Sequence, residues 1–367
     1  MYFFPRHRRG GGNMPVNRSP ESVTAPTLGR RVTDPRPLAT GVPAALHRIA
    51  GRSVISTSDV GRDELLGLFS VAAGLQVAGT APASALAGKV VLTAFFEPST
   101  RTRLSFESAA HRLGAAVISI PDARFTSVHK GESLADTGMM LDSYADVVVL
   151  RHTAEDSVDE IRSSGTAVPL VNGGNGCHEH PTQAMADWYA LLKWRPALAS
   201  PDPDRDSRIS LCLLGTPRRM RSMRSFLLMT ATHFPRAVRD ITVVSDDHRP
   251  LGEGLAAVLE GAGVEHRCDT EFEPRAGEFD VVYQNSLTLV DREYQVLGSK
   301  TRLDATVPLK RDAVVMHPLA RQDELGTDLD DTPHNLYFDQ AAGAVFVRQA
   351  LLLAITGRLG ALARNGG

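Results

Sequence analysis

The chain has 367 residues, of which 43% are hydrophobic, 22% charged and 6% aromatic, and this composition is that of an ordinary globular protein. It excludes a collagen, a coiled coil and a wholly disordered chain, and the length is enough for two domains with a cleft between them. Forty basic residues against 42 acidic ones give a formal net charge of -2, so no bulk charge attracts nucleic acid or an anionic membrane. Any anion that the protein recognises must be held by a local site, and an interdomain cleft is the first place to expect one.

Several features favour a cytoplasmic protein that has no membrane partner. Apolar runs such as 350–355 are far shorter than the roughly 20 residues of a membrane span. The N-terminal stretch 1–13 lacks the apolar core of a secretory signal. The three cysteines, Cys177, Cys212 and Cys268, are an odd number without C-x-x-C spacing, which favours a reducing compartment.

A disordered basic arm is predicted for residues 1–40, which contain seven arginines, six prolines and only two acidic residues. After it, short continuous apolar strands alternate with amphipathic helices, a pattern typical of parallel sheets covered on both faces. A stretch rich in Pro, Asp and Ser at 199–208 separates two such series. We therefore predict an α/β protein with two doubly wound parallel-sheet domains, 41–184 and 185–334, joined by interdomain helices and with the active site in the cleft. A C-terminal helix within 335–360 is expected to pack back on the first domain.

The predicted elements follow one another in chain order. The first series consists of helix 58–78, strand 89–96, helix 100–113, strand 117–120, helix 133–144, strand 146–150, strand 169–172 and helix 181–193. The second series consists of strand 209–214, helix 218–232, strand 241–245, helix 251–261, strand 280–284, strand 313–317 and helix 344–359.

The most informative segment is 95–107, Phe-Phe-Glu-Pro-Ser-Thr-Arg-Thr-Arg-Leu-Ser-Phe-Glu, where a strand ends and a helix begins with Ser and Thr as N-caps. Arg101 and Arg103 fall in the first turn, although a helix N-terminus already carries about half a positive charge and prefers acids. A bound anion resolves this conflict, because the backbone N–H groups of residues 99–102, the hydroxyls and an arginine fork form a phosphate cradle. The structural alternative is a capped helix whose arginines reach water or pair with the two glutamates of the segment.

The pattern F-x-x-x-S-T-R-T-R-x-S-F-E in this segment resembles the carbamoyl-phosphate-binding motif of the aspartate and ornithine carbamoyltransferases, and its continuation at 111–115 is similar to the aspartate branch. Further motifs of this family occur in order at 130–136, 150–152, 172–183, 317–321, 337–341 and 348–352. The resemblance covers roughly residues 42–360. It implies an enzyme that uses carbamoyl phosphate and an amino-acid acceptor, needs no cofactor and forms no covalent intermediate with its substrate.

The resemblance also implies the residues of one donor site. The phosphate would be bound by the Ser-Thr-Arg-Thr run together with Arg151. The carbonyl oxygen would be surrounded by arginine, threonine and histidine side chains that stabilise the oxyanion of a tetrahedral intermediate. Gln183 and backbone carbonyls would accept hydrogen bonds from the carbamoyl amide. The set is Ser99, Thr100, Arg101, Thr102, Arg151, His180, Gln183, Pro318 and Leu319.

His180 precedes Pro181, which is a favourable first residue of a helix. The helix dipole at that position disfavours protonation, so the imidazole is expected to act as a neutral hydrogen-bond donor.

Lys130 lies in a polar loop, 123–132, where a lysine is ordinarily a solvated surface charge. The resemblance implies instead that this loop reaches the active site of an adjacent subunit in a homotrimer, where Lys130 would contribute to catalysis and acceptor binding. The loop is one residue shorter than the usual form, with His129 where a second lysine is common.

Two other kinds of site are not expected. The ligand-type residues at 177–180 are consecutive and cannot all converge on one ion, and the second ligand pair of a structural zinc site is missing. The stretch 215–218, Gly-Thr-Pro-Arg, does not match the G-x-G-x-x-G dinucleotide motif.

The acceptor side departs from the family pattern. Arg221 takes the place of the arginine that binds an acceptor carboxylate. Aspartate-specific members carry R-x-Q-x-E-R after the strand that corresponds to 281–284, whereas this chain has Ser286 for the first arginine and Thr288 for the glutamine. A charge-assisted contact is worth about 1.5–3 kcal/mol, so aspartate should bind roughly ten- to a hundredfold more weakly unless another cation substitutes. The candidate substitutes are Arg224, Arg292 and Lys300, and the expected acceptor set is Lys130, Arg221, Ser286, Thr288 and Leu319.

Ala320 is a second departure, because the family usually has proline there after a cis Leu-Pro bond. A cis bond to alanine costs about 2.5–4 kcal/mol, so Leu319–Ala320 is expected to be either trans or cis under strain. The histidine motif reads His317-Pro318, not the H-C-L-P of the ornithine branch. We interpret the chain as a specialised carbamoyltransferase whose acceptor has one carboxylate, such as 2,3-diaminopropionate in secondary metabolism. An aspartate carbamoyltransferase of pyrimidine biosynthesis with a substitute cation and a non-catalytic carbamoyl-phosphate-binding subunit are the alternatives.

Overall fold

The computed structural model describes residues 43–79, 83–290, 293–296 and 302–362, with the backbone alone at 125, 287–290 and 293–296. The predicted basic arm at 1–40 lies outside the described residues.

The first half of the described chain forms a four-stranded sheet in the order β2-β1-β3-β4, and every pair in it is parallel. Its strands are β1 (Val90–Phe95), β2 (Ala116–Ile120), β3 (Val147–His152) and β4 (Leu170–Asn175). The helices of this half are α1 (Arg62–Ala78), α2 (Thr100–Arg112), α3 (Leu134–Tyr144), α4 (Ser157–Ser163) and α5 (Pro181–Trp194).

The second half forms a five-stranded parallel sheet in the order β11-β8-β5-β6-β7. Its strands are β5 (Ile209–Leu214), β6 (Val238–Val244), β7 (His266–Asp269), β8 (Val281–Gln284) and β11 (Val314–Met316). Between β8 and β11 the chain makes an antiparallel hairpin of β9 (Leu287–Val290) and β10 (Glu293–Val296). The helices are α6 (Arg221–His233), α7 (Gly252–Gly261) and α8 (Tyr337–Ile355).

Helices α5 and α8 hold the two halves together. They pack on each other, α5 also packs on α6, and α8 also packs on α1 and α2. Trp188 of α5 stacks on Phe226 of α6 and on Phe234, with ring centroids 5.8 and 4.1 Å apart. By length and composition α8 is apolar enough to cross a membrane. However, 67% of its most apolar 18-residue segment is buried inside the protein, as in the core helix of a globular fold.

The predicted fold class is confirmed, because two parallel sheets carry helices as the alternating pattern indicates. Helix α6 begins three residues later than predicted, since Pro217–Arg219 forms a separate 3-10 turn. Helix α8 begins at Tyr337, seven residues before its predicted start. Three kinds of element were not predicted at all: the short helix α4, the hairpin β9–β10, and the edge strand β7, whose four residues are not buried and lack an apolar pattern.

Candidate active site

A cavity of about 570 Å³ lies between the two halves of the protein. On one side it is lined from the carboxyl end of the first sheet, and on the other from the start of α6 and the loops that follow β8 and β11. Such a crevice at the carboxyl ends of parallel strands is where open α/β sheets place their ligands. The predicted site residues that line it are Ser99, Thr100, Arg101, Thr102, Arg151, His180, Gln183, Arg221, Pro318 and Leu319.

The predicted phosphate cradle corresponds to the N-terminus of α2, where no acidic residue occupies the first turn. Ser99 is the N-cap by backbone conformation, but its side chain makes no capping hydrogen bond, which corrects the predicted role of the hydroxyl. Arg101 lines the cavity, and partial burial lowers the pKa of its guanidinium. Arg103 instead lies 3.1 Å from Glu107 in an ion pair, so the structural alternative holds for that arginine. The cradle therefore presents backbone N–H groups and a single arginine from this helix.

Glu97, which follows β1, connects two arginines of the cavity wall. One of its oxygens, Oε1, lies 2.5 Å from Arg151 Nε and 2.5 Å from Arg221 Nη2. The glutamate side chain is almost completely buried, so both contacts form away from bulk water. Arg151 also donates to the carbonyl of Gly173 at 3.2 Å, and Arg221 to that of Gly176 at 2.8 Å. These contacts fix both guanidinium groups at the cavity.

Gly174 allows this arrangement of arginines. Its φ is +117°, which L side chains rarely adopt, and a Cβ built on it would lie 2.9 Å from Arg221 Nε and 3.3 Å from Arg151 Nη1. A larger residue would therefore displace the arginines in addition to straining the backbone.

His180 occupies the N-cap of α5, directly before Pro181. Its backbone N–H donates to Ser225 Oγ at 2.8 Å, and its ring Nε2 lies 3.3 Å from Thr102 Oγ1. Burial lowers the pKa of the imidazole well below its ordinary value, and the neighbouring Arg151 lowers it further. The ring is neutral near pH 7, as the sequence predicts.

Gln183 lies one turn further along α5 and reaches the cavity wall. Its amide Nε2 donates to Asp187 Oδ1 at 2.7 Å. The same oxygen accepts from Gln340 Nε2 at 2.6 Å, and Tyr283 donates its hydroxyl to Oδ2 at 2.9 Å. The Asp187 carboxyl is fully buried, and this burial raises its pKa to about 7 although the hydrogen bonds act in the opposite direction.

Arg348 of α8 is a further cation in the cavity wall. Its Nη1 donates to the hydroxyl of Ser105, and its guanidinium carbon lies 4.7 Å from the ring centroid of Phe106. Within the described part of the chain, its Nε and Nη2 are buried and have no hydrogen-bond partner. Burial, followed by the repulsion of Arg151, lowers the pKa of this guanidinium to about 9.

On the acceptor side, Arg221 and Leu319 line the cavity, and the Leu319–Ala320 bond is cis. Ser286 is buried behind the wall, and its hydroxyl has no hydrogen-bond partner among the residues that the structure describes. Arg224 does not line the cavity, whereas Arg219, which the sequence analysis did not select, does. The side chain of Thr288 and the residues Arg292 and Lys300 lie outside the described residues.

Lys130 is exposed at the end of a 3-10 turn, Ser127–Lys130, and is not part of the cavity wall of its own chain. Its predicted role in a neighbouring subunit stays a prediction.

The ligand-type run at 177–180 divides between two environments. Glu179 accepts hydrogen bonds from the Ser56 hydroxyl at 2.8 Å and the Thr57 N–H at 2.9 Å, while His180 lies at the cavity. In the ranges that the structure covers, no group of three or more His, Cys, Asp and Glu residues is arranged to hold a metal ion.

Comparisons with known proteins agree with this geometry. Residues 52–193 match the sequence profile of the aspartate/ornithine carbamoyltransferase, carbamoyl-P binding domain. The aspartate carbamoyltransferase catalytic subunit of Pyrobaculum calidifontis is 40% identical over 311 residues, which are 83% of this chain and 98% of the relative. The chain belongs to the aspartate/ornithine carbamoyltransferase family.

Further relatives agree with this assignment. The catalytic subunit of Hyperthermus butylicus aspartate carbamoyltransferase is 39% identical over 322 residues, which are 84% of this chain and 97% of that protein. The crystal structure of Trypanosoma cruzi aspartate transcarbamoylase in complex with carbamoyl phosphate and aspartate superposes with a TM-score of 0.72 at 30% identity. That match covers 86% of this chain and 99% of the other. The protein is thus an enzyme, a carbamoyltransferase, and not the non-catalytic subunit considered as an alternative.

Besides Arg219, the polar residues Glu97, Asp187 and Arg348 of this carbamoyltransferase site were not predicted as site residues. Glu97 belongs to the cradle segment, and its position directly after a buried strand was the available signal. Asp187 lies four residues after Gln183, hence on the same face of a helix, so the spacing alone pointed to a contact. Arg348 had only the family motif at 348–352 as a signal, because a single arginine in an apolar helix does not reveal which cavity it lines.

Proposed function

We propose that this carbamoyltransferase moves the carbamoyl group of carbamoyl phosphate to the amine of an amino acid whose carboxylate is bound by Arg221. The observation that carries the proposal is the convergence of Arg101, Thr102, Arg151 and His180 on one cavity at the N-terminus of α2. The cavity is therefore lined by anion-binding donors and a neutral imidazole, and its volume of about 570 Å³ is large enough for two small substrates. It supports a phosphorylated donor and an acyl-type transfer.

The phosphate of the donor binds to the backbone N–H groups at the start of α2, to Arg101 and to Arg151. Its carbonyl oxygen then faces Thr102, Arg151 and the His180 ring, which lies 3.3 Å from the threonine hydroxyl. As the acceptor amine attacks the carbonyl carbon, these donors stabilise the negative charge that develops on the oxygen. The C–N bond forms, the C–O bond to phosphate breaks, and the departing phosphate takes the amine proton. Catalysis therefore consists of positioning and preorganised charge, without a covalent enzyme intermediate.

For the acceptor we propose an amino acid with a single carboxylate, such as 2,3-diaminopropionate. This choice rests on Ser286, which stands where aspartate-specific members of the family carry the arginine for a second carboxylate. The serine is buried behind the cavity wall and offers no charge. The second amine of 2,3-diaminopropionate needs no cation. This acceptor therefore does not lose binding free energy when the arginine is absent, whereas aspartate loses the contact with its second carboxylate.

Aspartate is the second candidate, and Arg219 favours it. This arginine lines the cavity two residues before Arg221, so a second guanidinium lies near the proposed carboxylate site. The relatives at about 40% identity named above are aspartate carbamoyltransferases, which supports the same candidate.

A panel assay distinguishes the two acceptors. Release of phosphate from carbamoyl phosphate is measured with 2,3-diaminopropionate, aspartate and ornithine, and the carbamoylated product is identified by mass. An Arg101→Ala variant corrects for spontaneous decomposition of the donor. We expect aspartate to show a KM roughly ten- to a hundredfold higher than that of 2,3-diaminopropionate. A lower KM for aspartate than for 2,3-diaminopropionate would overturn the proposal of 2,3-diaminopropionate and favour aspartate as the acceptor.

We also propose that the enzyme is a homotrimer in which Lys130 completes the site of a neighbouring subunit. Lys130 is exposed and does not line the cavity of its own chain. Large apolar side chains are exposed nearby in sequence, with Met139 63%, Met140 46% and Tyr144 53% accessible on α3, and Leu104 at the cavity rim 49% accessible. Exposed large apolar side chains are typical of a protein interface when they lie close together, as the three on α3 do in sequence.

Mixing two inactive variants tests the shared site. Lys130→Ala and Arg101→Ala subunits are unfolded together and refolded as an equimolar mixture. If Lys130 acts across an interface, some mixed trimers contain an intact site, and activity reappears. A mixture as inactive as its components, or a monomeric mass by light scattering, would contradict the proposal.

A further inference from the structure

The Asp187 carboxylate lies behind the wall of the cavity, at the centre of a buried hydrogen-bond network. Gln183 and Gln340 both donate an amide N–H to its Oδ1, at 2.7 and 2.6 Å, and Tyr283 donates its hydroxyl to Oδ2 at 2.9 Å. Gln340 in turn accepts from the backbone N–H of His317 at 3.1 Å through its Oε1. The network thus joins α5 and α8 to the loop after β11.

Asp187 Oδ1 accepts hydrogen bonds from both amides whether the carboxyl is ionised or carries its proton on Oδ2, so this oxygen determines how the two amides are turned. With Nε2 of Gln183 bound to Asp187, its Oε1 is the amide atom that remains for the cavity. With Nε2 of Gln340 bound to the same oxygen, its Oε1 is directed to the His317 N–H. A flip of either amide would bring two acceptors together at Asp187, which is repulsive.

The amide orientation matters because a carbamoyl group presents an oxygen on one side and an NH₂ of similar size on the other. Hydrogen-bond donors line the cavity at Thr102 and His180 and suit the oxygen. The NH₂ needs acceptors, and Gln183 Oε1 together with the carbonyls of Pro318 and Leu319 can provide them. A Gln183 amide turned the other way would oppose NH₂ with NH₂.

We propose that Asp187 is a positioning residue that orients the carbamoyl group by fixing acceptors on both sides of its NH₂. It holds Gln183 directly, and it holds the loop at Pro318 and Leu319 through Gln340 and the His317 N–H. The inference rests on the proposed function, in that the donor is carbamoyl phosphate.

The charges around Asp187 are consistent with this role. Tyr283 contacts it from β8, Gln183 from its own helix and Gln340 from α8. Arg348, also on α8, is the charged group whose field favours the carboxylate. The hydrogen bonds and this arginine partly offset the burial that raises the pKa of the carboxyl.

Two stable ligands separate positioning from general stability. Phosphonoacetamide keeps the phosphorus group and the amide of the donor, whereas inorganic phosphate has no amide. Binding of each to the full-length enzyme is measured by calorimetry. For Asp187→Ala we expect phosphonoacetamide to bind roughly tenfold more weakly and inorganic phosphate to bind within about twofold of the wild type, since one amide contact is worth about 1.4 kcal/mol.

Asp187→Asn is the conservative variant. Its side-chain oxygen can accept from both glutamine amides while its NH₂ group donates to the Tyr283 oxygen, so most of the phosphonoacetamide affinity should return. Thr230→Val is the matched control, because it removes a different buried hydrogen bond of α5, the one from Trp188 Nε1 at 3.2 Å. The ratio of the two affinities should not change in this control.

Equal weakening of both ligands in Asp187→Ala, or no weakening of either, would overturn the inference. If Asp187→Ala does not fold, Gln340→Met takes its place. This variant must bind phosphonoacetamide more weakly than wild type and bind phosphate equally well, and any other result would also overturn the inference. A wild-type enzyme that binds phosphate but neither binds phosphonoacetamide nor consumes carbamoyl phosphate would overturn the proposed function itself, and the inference with it.

Discussion

Glu97 and Arg221 form a buried ion pair across the cavity, with Glu97 Oε1 2.5 Å from Arg221 Nη2. The same oxygen lies 2.5 Å from Arg151 Nε, so one carboxylate oxygen holds an arginine from each half of the protein. In the absence of substrate, this single negative charge partly neutralises two groups that are expected to bind anions. The anion site is therefore preorganised by an internal anion.

Glu97→Gln should destabilise the protein far more than a comparable change at an exposed pair. Removing one partner of a buried ion pair leaves uncompensated charge and costs about 3–5 kcal/mol. Glu253→Gln is the control, because it breaks the exposed pair with Arg249 and should cost about 0.5 kcal/mol. Urea unfolding of both variants measures the difference. Equal decreases in the free energy of unfolding would show that the Glu97 contacts stabilise the protein no more than an exposed ion pair does.

His180→Gln should weaken the dependence of stability on acidic pH. The folded-state pKa of His180 is lowered, so the unfolded chain binds the extra proton, and stability falls as the pH drops below about 6.5. One such histidine contributes up to about 1.4 kcal/mol per pH unit in that window. Unfolding free energies between pH 7.5 and pH 5.5 should show a shallower slope in this variant than in the wild type. Identical slopes in wild type and His180→Gln would contradict a neutral buried ring.

Asp187→Asn should become more favourable relative to wild type as the pH rises. The pKa of Asp187 is raised to about 7 by burial, so the folded state holds a proton that the unfolded state releases above about pH 4. The stability that this proton confers at low pH is lost as the pH rises toward 7. The unfolding free energy of Asp187→Asn minus that of wild type should increase by about 2 kcal/mol between pH 5 and pH 7. A difference that is constant with pH would show that the carboxyl titrates normally.

Arg221→Met should raise the KM for the acceptor by roughly ten- to a hundredfold and change the KM for carbamoyl phosphate much less, since a charge-assisted contact with the acceptor carboxylate is lost. Arg218→Met is the control, because Arg218 pairs with Asp247 and does not line the cavity. Steady-state kinetics with both substrates varied gives the two constants. A larger effect on the donor than on the acceptor would assign Arg221 to the phosphate instead.

The parts of the site that are contiguous in sequence could be predicted, and those created by tertiary contacts could not. The cradle residues follow from one strand-to-helix junction. A neutral His180 is expected from its place before Pro181, but its pKa is lowered by burial and by neighbouring arginines, which the local sequence does not show. Glu97 acts through partners that lie 54 and 124 residues away in the chain, as the numbers of Arg151 and Arg221 show. No local pattern indicates such a pairing.

The acceptor side shows the same division. The exchange of an arginine for Ser286 is visible in the sequence, but only the structure reveals that the serine lies behind the wall and that Arg219 lines the cavity. The alternating pattern was sufficient for the sheets because it recurs in each strand and helix. It failed at β7, whose edge position removes the need for an apolar run.

The contribution of α8 to the cavity has a consequence for how the enzyme is made. Gln340, Ala341 and Arg348 complete a wall whose other side begins at Pro98, and Arg348 contacts Ser105 across 243 positions of sequence. The segment 52–193 that matches the family's carbamoyl-P binding domain therefore does not contain all the residues that line the cavity. During synthesis the ribosome must release residue 348 before the cavity wall can be completed, so no shorter nascent chain can present the whole cavity.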